Sequence, residues 1–596
     1  MPILIGTEGL THEWPGKPVA TDVTLGINEG DRIGVVGRNG EGKTTLLSLL
    51  AKRLNPDAGS ITYRTGITVG VLGQSDSLDD ASSVERAVVG DVPEYVWASR
   101  PRTREIISAL LDGIDWQGGV GELSGGQRRR VDLAHLLIGD WDVLMLDEPT
   151  NHLDMPAITW LAAHLNARWP AGTGALLCVT HDRWFLDEVC QSMWEVHDGQ
   201  VDPFEGGFSA YVQQRVERDR QAAASEARRQ NQLRRELAWL SRGAQARSSK
   251  PKFRIAEAQS LVADVPPLRN PIELRSLAVS RLGKQVVELK GVTVSYPGTP
   301  DVLDDVSWLV GPGDRYGILG ANGAGKSTLL KVIKGELAPT SGVVKIGKSV
   351  RFGTMSQQLD SLMERSGWRV GELLARYRQT YRVDGKDLTP QQLLERLGFE
   401  RAALLTRIGS LSGGQRRRLA LMCVLLEEPN VLVLDEPGND LDTDMLAVME
   451  DLLDGWPGTL FLVSHDRYLM ERVTDDQFAL VGGRLRHVPG GVDEFLGLAA
   501  RERGPVGAQP EPEAGETVPS GLSNSERQSL KRRLESVTRR LGKLREEPAA
   551  IEGRMAEAGP SDYAALEALD QELRDCREQI EGLEDEWLEL SERLEG

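Results

Sequence analysis

An α/β protein made of two copies of one parallel-sheet module is the fold that the sequence predicts, on three observations. The first is self-similarity: Gly37–Thr44 reads GRNGEGKT, and Gly320–Ser327 reads GANGAGKS 283 residues later. The second is that further motifs recur in the same order. SGGQRRR stands at Ser124–Arg130 and Ser412–Arg418, and VLMLDEPTNHLD (Val143–Asp154) is answered by VLVLDEPGNDLD (Val431–Asp442), both at an offset of 288. Thr180-His181-Asp182-Arg183 is matched by Ser464-His465-Asp466-Arg467. The third is local pattern. Val143–Leu146 and Val431–Leu434 are continuously apolar, as parallel strands covered on both faces require. Each glycine-rich loop follows an apolar strand (Arg32–Val36; Tyr316–Leu319) and opens a helix, which is the context such a loop needs.

The repeat divides the chain into a first module, 1–212, and a second, 286–500, with a connecting segment, 213–285, between them. Residues 213–262 hold twelve Lys/Arg against five Asp/Glu, a net of +7, so the segment reads as a basic helical hairpin interrupted by Arg242-Gly243 and Ser248-Ser249-Lys250-Pro251. Residues 501–522, rich in Gly, Pro and Glu, read as a flexible tether. From 523 to 596, Leu530, Leu534, Val537, Leu541 and Leu544, then Leu566, Leu569, Leu573, Cys576, Ile580, Leu583, Trp587, Leu590 and Leu594 keep 3,4 spacing. Such spacing predicts a coiled coil, and the Pro548 and Gly559-Pro560 breaks fold it into an antiparallel hairpin.

Composition bounds the function. The 596 residues carry a net charge of −19, which excludes a protein that simply coats nucleic acid, although the connecting segment reverses that sign locally. No stretch approaches the ~20 apolar residues that cross a bilayer, and the N-terminus enters a strand without an export signal, so a cytoplasmic protein with no membrane partner is expected. Cys178, Cys190, Cys423 and Cys576 lie far apart, in neither metal nor disulfide spacing, and read as buried thiols.

The glycine-rich loops carry the chemistry. In Gly37, Arg38, Asn39, Gly40, Glu41 and Gly42, and in Gly320, Ala321, Asn322, Gly323, Ala324 and Gly325, consecutive backbone N–H groups converge on the phosphates of ATP at a helix N-terminus. Lys43 and Lys326 add a point charge. Thr44 and Ser327, followed by Thr45 and Thr328, offer hydroxyls to Mg²⁺, which Asp147 and Asp435 hold from the other side.

With SGGQ added, here Leu123–Gln127 and Leu411–Gln415, the chain resembles the ABC ATPase superfamily over residues 1–500. The resemblance implies a head-to-tail sandwich in which Ser124, Gly125, Gly126 and Gln127, and Ser412, Gly413, Gly414 and Gln415, meet the ATP held by the opposite module's loop. It implies that Glu148 and Glu436 are general bases, that His181 and His465 sense the γ-phosphate, and that Gln74 and Gln357 sense Mg²⁺ and the attacking water. It also implies that Trp14 and Tyr296 stack on adenine, against the competing reading of core aromatics. Both sites keep Lys, Asp, Glu and His, so two competent sites are expected. Gly438 and Asp440, where the first module has Thr150 and His152, leave the geometry of that loop open.

Tandem modules joined by a charged linker resemble the ABC-F family, and the stretch Gln232–Gly243 with the C-terminal coiled coil is most similar to its Uup-type branch. That implies a ribosome partner, rRNA or tRNA, met by Arg242, Arg247, Lys250, Lys252 and Arg254. The alternative is DNA bound by the coiled coil, an ATPase acting on branched intermediates. There, however, 523–545 (+6) and 546–596 (−13) are also positioned to pair with each other. The energy unit of an exporter is the third reading.

Overall fold

A computed structural model describes residues 2–14, 17–74, 76, 78–218, 285–297, 300–355, 360–383, 386–397, 399, 401–439 and 441–503. In the first module an antiparallel sheet joins β1 (Ile3–Trp14), β2 (Lys17–Val23), β3 (Gly26–Asn28) and β5 (Ala58–Tyr63). The central sheet takes β4 (Arg32–Val36), β6 (Val69–Leu72), β7 (Val143–Asp147), β8 (Ala175–Val179), β9 (Ser192–His197) and β10 (Gln200–Glu205), in the order β10-β9-β4-β8-β7-β6. All its pairings are parallel except β9–β10. Every residue of β4, β7 and β8 is buried, as their apolar runs demand.

The second module repeats this plan. β11 (Val287–Val294) lies between β12 (Leu303–Val310) and β14 (Ser341–Ile346). The central sheet runs β15-β18-β19-β13-β20-β21, with β13 at Arg315–Leu319, β15 at Phe352–Met355, β18 at Val431–Asp435, β19 at Thr459–Val463, β20 at Asp476–Val481 and β21 at Arg484–His487. The hairpin β16 (Tyr381–Val383) and β17 (Lys386–Leu388) stands apart in the helical part of the module.

A hydrophobic cluster lies on each side of each central sheet. In the first module Leu144, Leu146, Leu176 and Cys178 face one cluster, and Val143, Met145, Leu177 and Val179 the other. Strand alternation does this: successive side chains leave opposite faces. Cys178 and Cys190 are buried and Cys423 only partly so; Cys576 lies outside the described residues. Among the described residues no helix is long and apolar enough to cross a membrane.

A helix over residues 208–218 crosses the 212/213 division. It packs back on the sheet: Tyr211 Oη donates to Glu195 Oε1 (2.9 Å), and Arg218 bridges Glu195 and Asp202. Helix Gly491–Arg503 similarly crosses 500/501.

Candidate functional site

Each phosphate-loop leaves the C-terminal end of a central strand and turns into a helix at a left-handed glycine. Gly42 sits at φ 99° and Gly325 at φ 100°, capping helices Lys43–Leu50 and Lys326–Ile333. A Cβ on Gly42 would come within 2.3 Å of Val19 Cγ1, and one on Gly37 within 2.3 Å of the Val196 carbonyl, so both close approaches require glycine. Lys43 Nζ donates to the carbonyls of Gly37 (2.7 Å) and Arg38 (3.1 Å); Lys326 Nζ donates to those of Gly320 (2.7 Å) and Ala321 (3.0 Å). Burial lowers the pKa of both ammonium groups, against the pull of Glu148 on Lys43 and of Glu436 on Lys326.

At the ends of β7 and β18 the metal-binding chemistry fits. Both carboxylate oxygens of Asp147 are buried without a hydrogen-bond partner, and the Ser327 hydroxyl donates to Asp435 Oδ2 at 3.1 Å. Gln74 Nε2 donates to Thr44 Oγ1 at 2.9 Å. Burial raises the pKa of both aspartates, opposed at Asp435 by the Ser327 hydroxyl. A desolvated carboxylate beside a hydroxyl is a donor set that a hard divalent cation takes.

The next residues are strained. Glu148 and Glu436 both stand at φ 51°, a left-handed conformation that costs a non-glycine residue about 1–3 kcal/mol. The backbone N–H of each is held by the neighbouring strand, donating to Val179 O (2.7 Å) and Val463 O (2.9 Å). This turn throws both carboxylates toward the histidines: His181 Nε2 is 3.5 Å from Glu148 Oε1, and His465 Nε2 is 3.4 Å from Glu436 Oε1. Burial raises Glu436 to about 8, and lowers His181 and His465 to about 3, so both imidazoles are neutral.

Signature residues double as helix caps. Ser124 Oγ accepts from the Gln127 N–H while Gln127 Oε1 accepts from the Ser124 N–H, and Ser412 with Gln415 repeats the box. Each serine therefore stands at the N-terminus of a 14-residue helix, Gly125–Ile138 or Gly413–Leu426. Trp14 and Tyr296 are 49% and 41% exposed, which excludes the core reading, and Trp14 Nε1 donates to Thr45 Oγ1 (3.3 Å).

The modules meet head to tail. Asp442 Oδ2 accepts from the backbone N–H of Asn39, at 3.2 Å, and Asp154 Oδ2 accepts from that of Asn322, at 3.1 Å. A cleft of about 1550 Å³ is bordered by Arg38, Asn39 and Glu41 of the first loop and by Ser412, Gly414 and Gln415 of the second signature. In the reciprocal site Asn322 Nδ2 donates to the His152 carbonyl (3.2 Å), and Gly126 packs so closely on His152 that a Cβ would lie 3.2 Å from its side chain.

A family model described as ABC transporter matches residues 20–151 and 303–439, another of that description matches 194–269, and one described as ABC transporter C-terminal domain matches 526–592. The chain is 35% identical, over 99% of both chains, to the uncharacterized ABC transporter ATP-binding protein YfmR of Bacillus subtilis. It is 33% identical to the energy-dependent translational throttle protein EttA of Escherichia coli, over 77% of this chain and 88% of that one. The chain belongs to the ABC-F family. Its fold is that of the solved RNase-L inhibitor (TM-score 0.57, 21% identity, 82% of this chain and 92% of that chain). The same fold occurs in archaeal ribosome recycling factor aABCE1 (TM-score 0.57, 19% identity, 82% and 92%).

As an ABC-F protein the chain binds and hydrolyses ATP. Gln357, Asp440, the linker residues Arg242, Arg247, Lys250, Lys252 and Arg254, and the coiled coil 523–596 lie outside the described residues. Sequence reasoning passed over Asp154 and Asp442 as individual residues. Their signal was present: each ends a repeated motif and begins a helix, where an aspartate caps. Arg38, which it placed only at a phosphate, also reaches Asp444 of the opposite module, at 3.4 Å.

The loop departure has a local cause. Thr150 and Thr180 share a buried hydroxyl–hydroxyl hydrogen bond of 2.8 Å, whereas a Cβ on Gly438 would meet Leu446 Cδ2 at 2.9 Å. Leu446 fills the room that Thr150 has in the first module.

Proposed function

We propose that the chain couples ATP-driven closure of its two modules to binding of the ribosome, through rRNA or tRNA contacts of the basic linker, in the cytoplasm. The observation that carries this reading is the likeness to a translational throttle protein over 88% of that protein's length, beside a family model that matches the linker region over residues 194–269. Net charge of +7 over 213–262 supports it, with Arg242, Arg247, Lys250, Lys252 and Arg254 as phosphate contacts. Within ABC-F the proposed branch is Uup-type, on the linker stretch Gln232–Gly243 and the C-terminal region.

Lys43 with Ser412, and Lys326 with Ser124, grip the two ATP molecules, and Trp14 and Tyr296 stack on the adenines. Glu148 and Glu436 take a proton from the water that attacks the γ-phosphorus, as ADP leaves. A base raised toward neutrality, as Glu436 is, suits that transfer. Neutral His181 and His465 each keep one N–H to donate to the transferred phosphate. Thr44, Gln74 and Asp147, and Ser327, Gln357 and Asp435, would hold Mg²⁺, which supplies charge neutralisation at the β- and γ-phosphate oxygens.

The test is sedimentation of the Glu148→Gln/Glu436→Gln chain with ribosomes in ATP. Co-sedimentation, lost when Arg242, Arg247 and Lys250 are changed to Glu, is expected. A protein that stays ribosome-free and binds a four-way DNA junction through 523–596 would instead be the DNA-directed ATPase.

A further inference from the structure

The two ATP sites are not equally connected to the linker. Its root, the helix over 208–218, is tied across the module boundary by Arg215, whose Nη1 and Nη2 donate to Asp444 Oδ1 (2.7 Å) and Oδ2 (3.0 Å). Arg215 Nε also pairs with Glu195 at 3.1 Å, so the guanidinium links both modules at once. A paired, two-pronged arginine–carboxylate contact fixes direction as well as distance.

Asp444 is also within reach of the phosphate-loop. Arg38 Nε lies 3.4 Å from its Oδ2, and Asp442, two residues earlier, accepts from Asn39 N–H. Segment 442–444 therefore receives both loop 1 and the linker root. Loop 1 answers directly to the phosphate-binding lysine, because Lys43 Nζ donates to the Arg38 carbonyl (3.1 Å). Arg215 and Asp444 line the same cleft as Ser412 and Gln415.

The second site keeps the Asp154–Asn322 and Lys326–Ala321 backbone contacts but lacks the charged links. By the repeat, Arg38 corresponds to Ala321, Asp444 to Pro156, Arg215 to Ala499 and Glu195 to Ala479. All four charged members are replaced by residues that make no ion pair. The asymmetry lies in side chains while the backbone plan is shared.

We propose that Arg38, Asp444 and Arg215 transmit nucleotide occupancy of the site formed by loop 1 and signature 2 to the linker root, and that the other site does not set the linker. These are positioning residues: they act on the linker through one another. The reading needs ATP alone, so it stands or falls separately from any ribosomal role.

Hydrogen exchange of segment 208–218 tests it, in the full-length Glu148→Gln/Glu436→Gln chain, with and without ATP at a concentration that saturates each variant. ATP should slow exchange about fivefold or more in this background. Lys326→Ala should keep that difference, whereas Lys43→Ala, Asp444→Asn and Arg38→Ala should lose it. Arg38→Ala leaves the Arg215–Asp444 pair in place, so it separates signalling from mere docking of the root. The proposal is overturned if Arg38→Ala keeps the full ATP-dependent difference, or if Lys326→Ala removes it as completely as Lys43→Ala does. It is equally overturned if Asp444→Asn speeds exchange with and without ATP by the same factor.

Discussion

Glu148 and Glu436 combine a strained backbone with a carboxylate aimed at a neutral histidine, so chemistry and strain can be separated by substitution. Glutamine keeps the size and the φ cost but accepts no proton. Glu148→Gln with Glu436→Gln should lower steady-state ATP turnover about 10²–10⁴-fold while ATP still binds, read by phosphate release and nucleotide titration. The histidines give a pH signature. Their folded pKa values of about 3 lie below the unfolded value near 6.5, so their contribution to stability is present above pH 6.5 and is lost as pH falls from there toward 3. At pH 5 this amounts to up to about 2 kcal/mol for each imidazole. Thermal melts of His181→Gln and His465→Gln against the parent should therefore converge on, or cross, the parent curve as pH drops from 7 to 5. Gly438→Thr should destabilise the second module by about 1–3 kcal/mol through overlap with Leu446, measured by denaturant unfolding. At this scale the sequence was informative because each reactive group sits in a repeated motif. Asp442 and Asp154 were harder to see as partners, because what they touch belongs to the other module.

The elements show how one side chain serves two structures. Asp154 Oδ1 caps helix Met155–Ala167 by accepting from the Ala157 N–H (3.1 Å), and Oδ2 holds the opposite phosphate-loop; Asp442 repeats this at Met445 N–H (3.0 Å). Asp154→Ala or Asp442→Ala should cost about 1 kcal/mol of stability through the lost cap. Each should also lower turnover, whereas Asn, which keeps one oxygen for the cap, should recover the melting temperature more fully than the turnover. The parallel core strands were legible because burial on both faces leaves an unbroken apolar run. The antiparallel sheet of β1, β2, β3 and β5 was not. Its pattern in β1 is interrupted, with register shifts at Leu10/His12 and His12/Glu13, and β5 is mostly exposed, so neither alternation nor a run marks it. Helix 208–218 was divided at 212/213 because repeat length, not side-chain anchoring, set that boundary.

Across the whole molecule the modules are joined by buried charge as well as by the loops. Arg183 of the first module pairs with Glu450 and, at 3.1 Å, with Asp466 of the second, and Tyr468 Oη donates to Asp187 Oδ2 at 3.0 Å. Burial disfavours the guanidinium charge, but Asp466 and Glu450 raise its pKa overall. Removing Glu450 leaves Arg183 with Asp466 as its remaining carboxylate partner, a loss of about 1.5–3 kcal/mol, so Glu450→Ala should lower the calorimetric transition and weaken the coupling of the two modules. Glu450 has Ala162 as its counterpart in the first module, which is why no repeat pattern pointed to the pair.

Each ATP site is shared between the two modules, and ATP turnover by two double variants reads that sharing out. Lys43→Ala with Ser412→Arg damages one shared site twice and should retain the turnover of Lys43→Ala alone. Lys43→Ala with Ser124→Arg damages both sites and should abolish turnover. Loss of activity in the first pair with retention in the second would mean that each site is built within one module.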